Sequence, residues 1–224
     1  MKTIVIVGAG PGLGLSIARK FGQNGFRVAL VARNQEKLEG YVQELKQLKI
    51  EAAGFRADVL DMQQLRHAFA QIKETWGPVD VLEYSPIPSA DKLASAVETT
   101  PENALFQFQY QVLGAVASVA EVLPGMLDRG NGALLFTTGL SAVNPVPILT
   151  NVGIAMAGLR NYAHCLHQEL APKGVYVGHL SIGVYFQPGP EADKIAALWY
   201  NMYEKQNRVE ELVLNGQSIP EAIK

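Results

Sequence analysis

Ile4-Val5-Ile6-Val7-Gly8-Ala9-Gly10-Pro11-Gly12-Leu13-Gly14 is the stretch on which the reading of this chain turns. Four consecutive apolar residues read as a buried strand. Glycines follow at Gly8, Gly12 and Gly14, and then comes the helix-like run Leu15-Ser16-Ile17-Ala18-Arg19-Lys20-Phe21. A strand that bends sharply into a helix turns unpaired backbone N–H groups and the positive end of a helix dipole toward the bend. An anion suits that corner. A dinucleotide pyrophosphate fits it when glycine lets the phosphates approach the backbone.

Outward from this corner, strands and helices alternate. Arg27 to Ala32 is expected as a second strand, Gln35 to Leu48 as an amphipathic helix, and Glu51 to Ala57 as a third strand ended by Asp58-Val59. Asp61 caps a helix to Thr75, and Val79 to Tyr84 is strand four. A long helix follows from Glu102 to Leu123, with Pro101 at its favoured first position. Then come a strand over Gly132 to Thr137, a helix over Ile154 to Leu170, a strand over Val175 to Ser181, a helix near Ala192 to Tyr203, and an edge strand over Val209 to Leu214. Alternation at this pitch predicts an α/β fold: a doubly wound parallel sheet of six or seven strands, Rossmann-like, with helices on both faces.

The 224 residues are expected to form one domain, 1–224, with no linker, repeat or low-complexity segment. Apolar residues make up 48% and charged residues 18%, the composition of a globular chain. A net charge of −2, with the charges dispersed, gives no basic footprint for nucleic acid or an anionic membrane. The single cysteine, Cys165, excludes an internal disulfide and is compatible with the cytoplasm. No secretory signal is read at the start, and Glu121 and Pro124 interrupt the most apolar later stretch, Val112 to Leu127.

The glycine spacing, Gly-x-x-x-Gly-x-Gly, resembles that of short-chain dehydrogenases/reductases, and the likeness runs from residue 3 to about residue 184. It implies a nucleotide-dependent oxidoreductase acting on a carbonyl or alcohol. The cofactor would lie over Gly8, Gly10, Pro11, Gly12, Leu13 and Gly14. Strand two is followed by Arg33, with no carboxylate before Glu36; a guanidinium there pairs with a 2′-phosphate, so NADP is favoured over NAD. Some relatives that prefer NADP carry a second basic residue in the glycine turn, where this chain has Pro11. Asp58 and Val59 match the pair that contacts the adenine. Ser85 and Pro86 after strand four, and Ile182 and Gly183 after strand six, stand where the family touches the nicotinamide half.

The chemical end departs from the family. Its general acid is a tyrosine, with a lysine four residues later on the same helical face. The match of Ala157-Gly158-Leu159-Arg160 puts Val152 at the tyrosine position and Met156 at the lysine position. The serine position falls on Thr138 or Gly139, and the asparagine position on Gln111. Thr138 keeps a hydroxyl for a carbonyl, and Tyr84 and Tyr185, at carboxyl ends of strands, are candidate proton donors or aromatic walls of the pocket. His164, Cys165 and His167 do not complete a metal site, and His179 reads as a hydrogen-bonded core residue. Segment 187–208 falls at the family's substrate lid, its aromatics either lining a pocket or packing. The family also implies a homodimer or homotetramer through the helices Glu102–Leu123 and Ile154–Leu170. Two readings stay open: an oxidoreductase with atypical proton delivery, or a dinucleotide-binding sensor or regulatory partner without turnover.

Overall fold

A computed structural model describes residues 1–183, 187–214 and, as backbone, 217–219. The strands are β1 (Lys2–Val7), β2 (Phe26–Ala32), β3 (Ala52–Arg56), β4 (Val81–Tyr84), β5 (Gly132–Gly139), β6 (Val175–Ile182), β7 (Glu210–Leu214) and β8 (Gln217–Ile219). They join in one sheet of order β3-β2-β1-β4-β5-β6-β7-β8, parallel throughout except for the antiparallel β7–β8 pair. The doubly wound sheet expected from the sequence is therefore found, with β8 an addition that the sequence reading did not contain.

The helices are α1 (Leu13–Gln23), α2 (Gln35–Gln47), α3 (Met62–Trp76), α4 (Pro101–Phe108), α5 (Gly114–Arg129), α6 (Thr150–Leu170) and α7 (Pro190–Lys205). Parallel strands buried on both faces need two cores, and two are present. One holds Val5, Val31, Leu82 and Phe136 from the sheet against Leu65, Phe69, Val119 and Leu159 from α3, α5 and α6. The other sets Ile4, Ile6, Leu30 and Leu135 against Ile17, Phe21, Leu38 and Trp199 from α1, α2 and α7.

The long helix differs from expectation. It runs from Pro101 to Arg129 and passes through Pro124, because Val122 and Met126, on either side of the proline, are buried and hold the last turns in place. Its apolar stretch has the length and hydropathy to cross a membrane, but half of that window is buried against the protein, as in a core helix. Gln109–Leu113, between α4 and α5, is a π-helical turn, a widening that sequence periodicity does not register. Trp199 on α7 is fully buried and α7 packs along α1, so the lid-position helix is a packed element of the second core.

Candidate active site at the carboxyl ends of the strands

The bend after β1 is built around close approach. Gly8 has φ +92°, and a Cβ there would lie 2.5 Å from the backbone of Pro86. A side chain at Gly8 is thus excluded by conformation and by space alike. The Gly8 and Ala9 N–H groups donate to the Val31 carbonyl at 3.0 and 3.1 Å, fixing the turn on β2. Gly14 rests on Ala9, where a Cβ would meet the Ala9 backbone at 3.1 Å. Gly10 and Gly12 are different: a Cβ on Gly12 would meet nothing within 4 Å, and one on Gly10 only the Gly8 carbonyl at 3.9 Å.

Helix α1 begins at that open corner with Gly12 as its cap, no side-chain cap bond and no acid in its first turn. Its amide dipoles point to that corner with no acid of the helix's own first turn against them. The cradle has the shape and donor set for a nucleotide pyrophosphate, so the residues fit the group.

Arg33, just past β2, is exposed, and its positive charge pulls on the Tyr110 hydroxyl. The neighbouring Asn34 caps α2 by accepting from the Lys37 N–H at 2.9 Å. Asp58 closes a short turn, accepting from the Leu60 N–H at 3.0 Å, while Val59 is buried with its carbonyl toward Gly114. Pro86 lies against Gly8, and Ser85 is anchored by its N–H to the Val7 carbonyl at 3.0 Å. Gly183 is wedged between Leu140 and Leu214 and donates its N–H to the Val213 carbonyl at 2.8 Å, so packing of β7 accounts for this glycine.

At the chemical end, the structure separates the two candidates for the serine position. A side chain on Gly139 would face Met156 Sδ at 3.5 Å, and the Gly139 N–H points at that sulfur at 3.2 Å. Gly139 and Met156 thus face one another, and Val152 is buried. Thr138 turns elsewhere: its Oγ1 lies 2.9 Å from His179 Nε2 and 3.0 Å from Ser181 Oγ. Gln111 is buried, its amide 3.5 Å from the Pro86 carbonyl.

Tyr84 does not line the groove. Its ring is fully buried, its hydroxyl donates to the Tyr110 carbonyl, and burial pushes that phenol well above its ordinary range. A proton-donor role at a substrate is closed to it by that burial. Tyr185 lies outside the described residues.

Two buried acids were missed from sequence. Glu83 of β4 is fully buried and accepts from Ser85 Oγ and Thr137 Oγ1, both at 2.9 Å, while Trp199 Nε1 donates to Thr137 Oγ1 at 3.0 Å. Burial raises the Glu83 carboxyl to about 8, against the pull of the two hydroxyls. Glu210 of β7 accepts from Arg160 Nε and Nη2, the latter at 2.7 Å, and its Oε1 lies 2.9 Å from His179 Nδ1. Burial alone would raise the Glu210 carboxyl, but Arg160 and His179 hold it far below the carboxylate range. The signal available in the sequence was an acid inside an apolar strand, in Val81-Leu82-Glu83-Tyr84 and again at Glu210.

His164 joins this second cluster, its Nε2 3.5 Å from Glu210 Oε2. Potential ligand atoms of His164, His179 and Glu210 lie within 4.8 Å of one another, yet the Arg160 guanidinium already takes both Glu210 oxygens. The set is a closed ion-pair cluster.

Comparison with known proteins agrees with this geometry. A ketoacyl reductase by name from Streptomyces coelicolor is 29% identical over 211 residues, covering 91% of this chain and 77% of its own. A short-chain dehydrogenase from Rhodopseudomonas palustris superposes with a TM-score of 0.85 at 23% identity, over 95% of this chain and 98% of its own. A variant of actinorhodin polyketide ketoreductase, solved with NADPH, gives a TM-score of 0.78 at 27% identity, over 93% and 77%. The family described as short chain dehydrogenase matches residues 2–186. With its glycine corner, its parallel sheet and this match over most of its length, the chain belongs to the short chain dehydrogenase family.

Proposed function

We propose that the protein is an NADP(H)-dependent reductase of ketoacyl or related carbonyl compounds, working in the cytoplasm. The observation that carries the reading is the uncapped start of α1 at Gly12, open in front of Gly10 and Gly12 and with no acid in the helix's first turn. The pyrophosphate would rest on the amides of Gly10 to Gly14, the adenine beside Asp58 and Val59, and a 2′-phosphate on Arg33. Ser85, Pro86, Ile182 and Gly183 border the nicotinamide half. The ketoreductase solved with NADPH supports the choice of nucleotide, as the named ketoacyl reductase supports the substrate class. Bound NADPH supplies the hydride. Val152 and Met156 bring no proton of their own, and the Thr138 hydroxyl is engaged by His179 and Ser181.

Leu105, Phe108, Leu113 and Val116 of the long helix and Ile154 of α6 expose apolar side chains; we assign them to a homodimer contact.

Fluorescence titration with NADPH and NADH, followed by NADPH oxidation against a panel of ketoacyl thioesters and ketones, tests the reading. NADPH should bind at least tenfold more tightly than NADH, and Arg33→Asp should erase or invert that ratio, since it replaces the phosphate partner with a repelling charge. Equal affinities in both proteins would refute the NADP assignment. Saturable binding with no oxidation of any carbonyl would leave a nucleotide-binding protein without turnover.

A further inference from the structure

The end of β5 and the start of α6 meet at one small open face. Gly139, Ser141 and Met156 are each partly exposed there, whereas Thr138 is buried. Met156 Sδ accepts from the Gly139 N–H at 3.2 Å and from the Ser141 hydroxyl at 3.8 Å. A Cβ on Gly139 would lie 3.5 Å from that sulfur and 3.8 Å from Ser141 Oγ. Of the two candidates for the family's serine position, Thr138 is turned away and Gly139 has no side chain. Ser141 sets a hydroxyl beside the space that a side chain at Gly139 would enter.

The surroundings fix that hydroxyl in place. Ser141 sits in a tight 3-10 turn, Leu140–Ala142, and the Leu140 carbonyl accepts from the Val143 and Asn144 N–H groups, both at 2.9 Å. Behind it stands Gly153 of α6, where a Cβ would come within 3.2 Å of Ser141 Cβ and 3.6 Å of its Oγ. In front, Leu140 packs against Gly183, and Gly139 pairs with Ile182 in the sheet. The turn therefore adjoins the two residues that border the nicotinamide half in the proposed binding mode.

The hydroxyl is also nearly idle. A thioether is a weak acceptor, and among the described residues no stronger acceptor takes the Ser141 proton. Such a hydroxyl can turn to a carbonyl oxygen at little cost, because no good hydrogen bond is broken.

We propose that Ser141 is the substrate-binding hydroxyl of this site, donating to the carbonyl oxygen of an activated ketone, one whose electron-withdrawing neighbour makes the product oxyanion weakly basic. This rests on the reductase reading. Carbon takes the hydride, the C=O π bond breaks and its electron pair stays on oxygen. Water then gives that oxygen a proton and leaves hydroxide. Ser141 keeps its own proton and stabilises the negative charge as it forms. The substrate class follows from the neighbouring residues: Val152 and Met156 offer no acid, so the charge on oxygen lasts until water neutralises it. The less basic that oxygen is, the less is lost by having no acid beside it.

The test compares wild type, Ser141→Ala and Gly153→Ala. It measures NADPH affinity, kcat and KM on ethyl benzoylformate and on acetophenone, and the isotope-edited infrared stretch of the keto carbonyl of ethyl benzoylformate bound with NADP+. Wild type should reduce the activated ketone at least about 10²-fold faster than acetophenone. Ser141→Ala should lower kcat about 10²-fold with NADPH affinity unchanged, and the carbonyl stretch should move to higher frequency as its hydrogen bond is lost. Gly153→Ala, which presses on Ser141, should move both readouts the same way by less. A wild-type rate, an unmoved stretch or a lost NADPH affinity in Ser141→Ala overturns the role of Ser141, and acetophenone reduced as fast as ethyl benzoylformate overturns the substrate class; each leaves the reductase reading standing. NADPH binding without reduction of any ketone or ketoacyl thioester by the wild type overturns both.

Discussion

Glu83 carries a clear electrostatic cost at a single residue. Its carboxyl sits at about 8 in the folded chain against an ordinary 4.5, raised first by burial. The folded state holds this proton more tightly than the unfolded state does. Stability from this group is therefore complete below pH 4.5 and is lost as pH rises to about 8. The slope in that window is about 1.4 kcal/mol per pH unit. Glu83→Gln keeps the shape and removes the titration, so its unfolding free energy should stay level where the wild type declines. Urea denaturation at several pH values checks this, and parallel slopes for the two proteins would refute it. At this scale the sequence was only partly legible. The glycines announced their role because their spacing is the geometry. Glu83, His179 and Glu210 did not, because their meaning depends on partners 31 to 54 positions away in the chain.

Among the elements, the long helix shows how local patterning misses a backbone distortion. The structure adds a capping box at Thr100; the Pro101 start was readable and is present. The π-helical turn at Gln109–Leu113 was not, because nothing in an apolar period reveals one extra residue per turn. The structure gives the physical reason for it. The Tyr84 hydroxyl reaches up from β4 to the Tyr110 carbonyl and occupies the space where a side chain at Gly114 would begin. Tyr84→Phe should cost about 1–3 kcal/mol by leaving that buried carbonyl unpaired. Gly114→Ala should cost about as much through overpacking against the same hydroxyl. Because the two share one contact, the double variant should lose less than the sum, and a double-mutant cycle by urea unfolding measures the shortfall. Strict additivity would show that the contact does not hold the turn.

Over the whole molecule, topology was the most legible property. Strands alternating with helices at short intervals admit few arrangements, and the right-handed crossover rule leaves the doubly wound sheet. The edge was less legible, since β8 spans only three residues. Assembly also belongs to this scale. Ile154 is 56% exposed, beside a long helix that presents Leu105, Phe108, Leu113 and Val116. Ile154→Glu should shift the protein toward monomer in light scattering while its circular dichroism remains that of the wild type. An unchanged mass would remove this face from the contact.

The order in which the chain leaves the ribosome gives Glu210 a further meaning. The cradle from Gly8 to Gly14 and the strands beneath Thr138 are synthesised first, whereas the carboxylate that orients His179 arrives 31 residues after the histidine itself. A nascent chain halted just short of β7 would present a finished nucleotide corner but a histidine with no anion to fix its tautomer. Synthesis would finish the nucleotide corner before the buried charge cluster around Glu210 closes.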